Sequence, residues 1–134
     1  MKIEIFTLCD YATDRGNKSL CIVDTGEIFQ SKRGGYFFKY KFLAYRIRFE
    51  ANDKPKLRLT FQISDSQGNN ITTISTDEFE VVTKNIYGFN AETGVVTLEN
   101  FSLPKSGVYS ASLFANGELL ASIPIFVFQS TGTG

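Results

Sequence analysis

Asn116-Gly117 divides the run from Ser106 to Phe128 into two apolar arms rich in β-branched and aromatic residues. Both residues tolerate the positive φ of a type I′ turn, so the run predicts a β-hairpin. On its first arm Tyr109, Ala111, Leu113 and Ala115 share a face, and on its second Leu119, Ala121, Ile123, Ile125 and Val127 do. This period of two belongs to strands packed on a core, and no other stretch limits the fold as tightly. Gly107-Val-Tyr109 has the spacing of a tyrosine corner, which favours an immunoglobulin-like or related Greek-key topology over a closed barrel.

The remaining segments follow the same period. Lys2 to Cys9 predicts a first strand, Asp10 to Asn17 a polar loop, and Leu20 to Phe29 a second strand that Gly26 bends. Ser31 to Gly35 is a loop by composition. Phe37 to Glu50 is the longest strand candidate. Leu43, Tyr45, Ile47 and Phe49 form its inner face, and Arg46, Arg48 and Glu50 its outer face. Phe38, Tyr40 and Phe42 share the arginines' face, which leaves them outside the main core. After the Pro55 turn, Leu57, Leu59, Phe61 and Ile63 alternate with polar residues. Ile71 to Thr76 reads as a Thr-rich edge strand, and Phe79 to Thr83 and Val95 to Phe101 as further strands. No segment carries a helical period of convincing length. The expectation is an all-β fold, an antiparallel β-sandwich of about eight strands. Residues 1–128 make a single domain in this reading, and residues 129–134 a flexible C-terminal tail.

Thirteen Phe and six Tyr with no Trp suit a rigid aromatic interior. No stretch reaches the roughly 20 apolar residues of a membrane span, and Met1 to Tyr11 alternates where a signal peptide would run apolar. A cytoplasmic protein without membrane attachment is therefore expected, with Cys9 and Cys21 reduced.

The composition also limits the chemistry. With no histidine, Ser-His-Asp and Cys-His catalysis are excluded, and two cysteines are too few for a structural zinc site. No phosphate-cradling glycine loop is present. Asp77, Glu78 and Glu80 cluster, but the two glutamates face outward if Phe79 and Val81 point in. Asp10, Asp14 and Asn17, like Asp65 and Asn69, are residues that turns use for local backbone hydrogen bonds, and neither set has the spacing of a calcium loop. The expectation is no enzyme and no catalytic, cofactor-binding or metal-binding residues.

The charges balance, 14 against 14, but nine of the basic residues lie between Lys32 and Arg58 with only Glu50 and Asp53 among them. If Leu57 to Ile63 pairs with Leu43 to Phe49 as a hairpin, Arg58 falls beside Arg46 or Arg48, and like charges facing across strands repel. Either Glu50, Glu78 and Glu80 neutralise these arginines on a solvated face, or a partner does. Phe38, Tyr40, Phe42, Arg46, Arg48 and Arg58 are then the candidate interaction surface of a protein-interaction module. The partner is an acidic protein or a second copy of the chain. Balanced net charge and the lack of a recognised binding module argue against nucleic acid. The alternative lies in the irregular stretch Asn85 to Gly94, with Ile86, Tyr87 and Phe89 as its apolar anchors. A loop-lined cleft near residues 85–94 would bind or hydrolyse a small molecule or saccharide.

Several motifs carry a resemblance. Phe6-Thr-Leu-Cys-Asp-Tyr-Ala12, Tyr45-Arg-Ile-Arg-Phe-Glu50, Leu103-Pro-Lys-Ser-Gly-Val-Tyr109, Asn116-Gly-Glu-Leu-Leu-Ala121 and Ile123-Pro-Ile125 resemble an uncharacterised bacterial family, a domain of unknown function. The resemblance spans the whole chain and implies one β-sandwich domain with no catalytic residue to carry over. Its motif positions are mostly apolar, Gly or Pro; Asp10, Arg46 and Arg48 are the polar exceptions.

Overall fold

The computed structural model describes residues 1–130, and among these the chain is built from strands and turns without a helix. β1 (Lys2–Gly16), β2 (Ser19–Thr25), β4 (Tyr36–Arg48) and β9 (Ala91–Leu103) form one sheet in the order β2-β1-β4-β9. β3 (Ile28–Ser31), β6 (Leu59–Ser64), β7 (Asn70–Ser75), β10 (Gly107–Ala115) and β11 (Glu118–Gln129) form a second, ordered β3-β11-β10-β6-β7. β5 (Lys56–Leu57) and β8 (Phe79–Glu80) make a short separate pair. All pairings are antiparallel except β3 with β11.

The two large sheets pack face to face. Leu8, Leu43, Tyr45 and Ile47 from the first meet Phe61, Leu113, Ile125 and Val127 from the second in one core. The Tyr45 and Phe61 rings lie 5.3 Å apart across it. Gly94 is required here, because a Cβ at that position would stand 2.2 Å from Tyr45 Oη. The predicted hairpin is β10 with β11, and Asn116 and Gly117 take φ of 51° and 85° as a type I′ turn demands. The tyrosine corner is also formed. Buried Tyr109 donates its hydroxyl to Lys105 O (2.7 Å) and accepts from Lys105 N (3.1 Å). β7 is an edge strand, as its Thr-rich composition suggested.

Several expectations are corrected. Strand β6 does not pair with β4: it lies in the other sheet between β10 and β7, while β4 lies between β1 and β9. Alternation reveals which side chains point inward but not which strand lies alongside, and here distant segments prevail over sequence neighbours. Asp10 to Asn17 is not a loop, since β1 continues to Gly16 and turns at Asn17 and Lys18, both with positive φ. Residues Leu20 to Phe29 split at Gly26 into β2 and β3, which belong to different sheets. Gln129 still pairs with Ser31, and Ser130 N donates to Ser31 O (2.9 Å), so pairing continues past residue 128. Residues 131–134 of the expected tail lie outside the described residues.

The second half of β1 and β2 form a hairpin that folds over the outward face of its own sheet. Asp24, between the paired steps Cys9 to Thr25 and Tyr11 to Val23, takes φ of 53° and marks the bend. Beneath the hairpin, Cys9, Ala12 and Ala44 form a satellite core with Leu20, Ile22, Phe42 and Val95. Both cysteines are free thiols, Cys9 buried and Cys21 half-buried. Burial pushes the Cys9 thiol pKa up, with the Asp10 charge adding to it.

Candidate functional site

The six residues of the expected surface do not stay together. Phe38 is 3% exposed and belongs to the main core, where it packs on Phe29, Tyr36 and Phe101 at ring distances of 4.9, 4.8 and 5.8 Å. The physical reason is a break in alternation. The step from Lys39 to Asn100 is absent from the β4–β9 ladder, and Asn100 takes φ of 47°, so the two parts of β4 present opposite parities to the core. Tyr40 is exposed, and Phe42 is half-buried against Tyr11, with rings 5.6 Å apart. Arg58 precedes β6 in the other sheet, far from the β4 register. Its backbone N–H donates to Asn116 Oδ1 (2.9 Å), and it lines an open groove of about 600 Å³ with Lys54, Lys56 and Glu78.

Arg46 and Arg48 do face outward together, and both are committed within the chain. The acids expected to neutralise them, Glu50, Glu78 and Glu80, are not their partners. An Arg46 Nη2 hydrogen donates to Lys18 O at the tip of the β1–β2 hairpin, while buried Arg46 Nε finds no hydrogen-bond partner. Arg48 pairs with Glu4 (3.0 Å) and donates through Nη1 to Gly88 O (2.7 Å) and Asn90 Oδ1 (3.0 Å). The Arg48 hydrogen bond and charge hold the Glu4 carboxyl below its usual pKa.

Arg48 thereby anchors the loop between β8 and β9. Asn90 is buried and clamps Phe49 twice: its Nδ2 donates to Phe49 O (2.7 Å), and its carbonyl accepts from Phe49 N (2.9 Å). Beyond these anchors the chain makes a tight turn closed by Phe89 N donating to Ile86 O (3.1 Å). Tyr87 and Gly88 take φ of 53° and 79°, the pattern of a type I′ turn. Ile86, Tyr87 and Phe89, expected as the loop's apolar anchors, are exposed instead, and Tyr87 is 96% exposed. A bulky residue at positive φ is an uncommon and strained choice, and here it holds an aromatic ring out in water.

Beside this turn is an open cavity of about 330 Å³ lined by Asp14, Gly16, Asn17, Lys18, Phe89, Glu92 and Thr93. Asp14 accepts from Thr93 Oγ1 (3.0 Å) and from Gly16 N (3.1 Å), and Lys18 Nζ lies 3.9 Å from Glu92. These bonds pin the hairpin tip to β9. Burial raises the Glu92 pKa, Lys18 opposes the rise and the Asp14 charge adds to it. The Tyr45 hydroxyl is pushed up to about 12, chiefly by burial and then by the charges of Glu92 and Asp14. The hairpin tip was missed in the sequence because Asp, Gly and Asn crowd it. The two-residue turn between Gly16 and Ser19, flanked by Thr13 and Leu20, was the available signal. Among the described residues, no group of three or more His, Cys, Asp or Glu is placed to hold a metal ion, and no helix is long and apolar enough to cross a membrane.

A family of unknown function, DUF6941, has a model that matches residues 4–128. The chain belongs to this family. No curated protein matches the chain. A solved structure, Pseudomonas fluorescens alkylpurine DNA glycosylase AlkC bound to DNA containing an abasic site analog, is similar with a TM-score of 0.57 and 12% identity. The similarity covers 94% of this chain and 30% of that one, so the chain spans under a third of the glycosylase's length. At that identity the likeness is one of fold.

Proposed function

We propose that this DUF6941 chain is a non-enzymatic protein-interaction module that inserts the turn Ile86 to Phe89 into an apolar pocket of another protein. The observation that carries this is Tyr87, 96% exposed at the tip of a turn held by Arg48 and Asn90. Aromatic anchors dominate interface energetics when they arrive already ordered, because little conformational entropy remains to be lost on binding. A photoreactive phenylalanine analogue at position 87 is expected to cross-link one partner protein. Tyr87→Ala should abolish recovery of that partner while moving the melting temperature by no more than about 1 °C, as surface changes do. Equal recovery with Tyr87→Ala would rule the turn out.

A second reading has its own observation, the cavity beside the turn where Asp14 and Glu92 both line the wall. A small polar ligand such as a saccharide would fit its volume, near the lower end of ligand pockets. Nuclear magnetic resonance titration with simple sugars separates the two: shifts confined to residues 14–18 and 89–93, lost in Asp14→Asn, would favour the cavity. A nucleic-acid reading is opposed by the zero net charge and by the ion pairing of Arg48 and Lys41. It would demand binding that falls steeply with salt.

A further inference from the structure

We infer that the outward face of the five-stranded sheet is the contact surface of a symmetric dimer of this chain, independent of the turn at Tyr87. In strand register, none of the outward side chains of β3, β11, β10, β6 and β7 is charged. The neighbouring charges lie at the ends of this sheet: Glu27, Arg58, Asp65 and Lys105 outside the strands, and exposed Glu118 at the first position of β11, in register with buried Ala115. An uncharged centre inside a charged rim is the composition of an interface, because no ion has to be stripped of water when the face is covered.

One cross-strand row determines the geometry. Phe126 of β11 is paired with Ile28 of β3 on one side and with Val108 of β10 on the other, and all three are exposed, Ile28 by 66%. The row therefore has an aromatic centre with an aliphatic residue on each flank. A two-fold axis lying in the contact plane along β11 lays this row on its own copy, Phe126 on Phe126 and Ile28 on Val108. Beyond the row runs a belt of hydroxyl and amide groups. Ser112 pairs with Ser122 and Gln62, their hydroxyl oxygens 3.2 Å apart in the first pair. Such groups exchange hydrogen bonds with a second copy without regard to sign.

Two quantities favour a second copy as the occupant. Five strands spaced about 4.8 Å apart and about 25 Å long give a projected face on the order of 600 Å², close to the roughly 800 Å² per partner of a standard interface. A net charge of zero leaves no long-range repulsion between copies. A face without charges also offers nothing by which an oppositely charged protein would be selected.

Sedimentation equilibrium on the 15.0 kDa chain is the test. The expected result is a dimer whose mass is the same in low and high salt, since no ion pair crosses the contact. Phe126→Lys should weaken the dimer at least about 100-fold, because the change enters the contact twice. Should that variant fail to fold, Ser112→Lys makes the same test at a site with no apolar packing. In a Cys21→Ser background, Phe126→Cys should cross-link to itself with a bismaleimide spanning about 10 Å, the spacing of stacked sheets, and Tyr40→Cys should not. A monomeric wild type, or a dimer that cross-links through position 40 and not 126, overturns the inference.

Discussion

The outward face of the four-stranded sheet is roofed by its own chain around Phe42, Ala44 and Val95, whereas the outward face of the five-stranded sheet is bare. On the first, the β1–β2 hairpin folds back, buries Ala44 and Cys9, and ties its tip down through Arg46, Thr93 and Glu92. On the second, Ile28, Phe126, Val108 and Leu119 stand exposed among uncharged serines and threonines. The difference shows how to read polar character on a sheet. On the first face Arg46 is committed to the roof and Arg48 to Glu4 and the Tyr87 turn, whereas the bare face has no outward charge to commit.

Matched substitutions on the two outer faces test this contrast most sharply. Ala44 is 0% exposed, so Ala44→Glu should cost about 3–5 kcal/mol or prevent folding, by burying a charge with no partner. Ser112→Glu, outward on the other sheet, should change the stability of the monomer by no more than about 0.5 kcal/mol. Urea denaturation of both variants measures the difference, and equal costs would remove the distinction between the faces.

The next largest effect comes from inside the roofed sheet. Gly94→Ala places a methyl group 2.2 Å from Tyr45 Oη and 2.4 Å from its ring, and should cost about 2–3 kcal/mol as Tyr45 is forced out of the core. Near-wild-type stability would mean that the strands can shift apart at this point. Arg48→Met should cost about 1–2 kcal/mol and speed hydrogen exchange at Gly88 and Phe89, because Gly88 O and Asn90 Oδ1 lose their donor. Unchanged exchange there would separate Arg48 from the order of the turn.

The smallest effects are pH-dependent and have opposite signs. Glu4 has a lowered pKa, so its pairing with Arg48 stabilises the fold above the unfolded value near 4.5 and is lost as pH falls below it. The deficit of Arg48→Met should therefore shrink in acid. Glu92 has a raised pKa, so its charged form is a burden that is fully present above the folded pKa and gone below about 4.5. Glu92→Gln should raise the melting temperature slightly at pH 7 and leave it unchanged at pH 4. A variant less stable at pH 7 would make the contact with Lys18 stronger than the cost of burying the carboxylate.

Much of the candidate site was visible as parts and invisible as a whole. Arg46, Arg48 and the irregular stretch from Asn85 stood out separately, yet only the fold brings Arg48 Nη1 within 2.7 Å of Gly88 O. The exposure of Tyr87 is not legible in the sequence, because an aromatic in a loop looks like an anchor until the positive φ at Tyr87 and the burial of Asn90 reverse the roles. Unbroken alternation puts Phe38 outside the core, and the break of the ladder at Asn100 that turns it inward has no mark in the sequence of β4.

Local chemistry along the chain was enough to determine the all-β class, the Asn116-Gly117 turn and the Tyr109 corner, since each depends on residues within a few positions of one another. Strand neighbours, the roof over Ala44 and the bare face around Phe126 were decided only in three dimensions. A two-residue period tells each side chain which way to point, but every strand of that period competes for the same partners. The choice among them is made by the core they jointly fill.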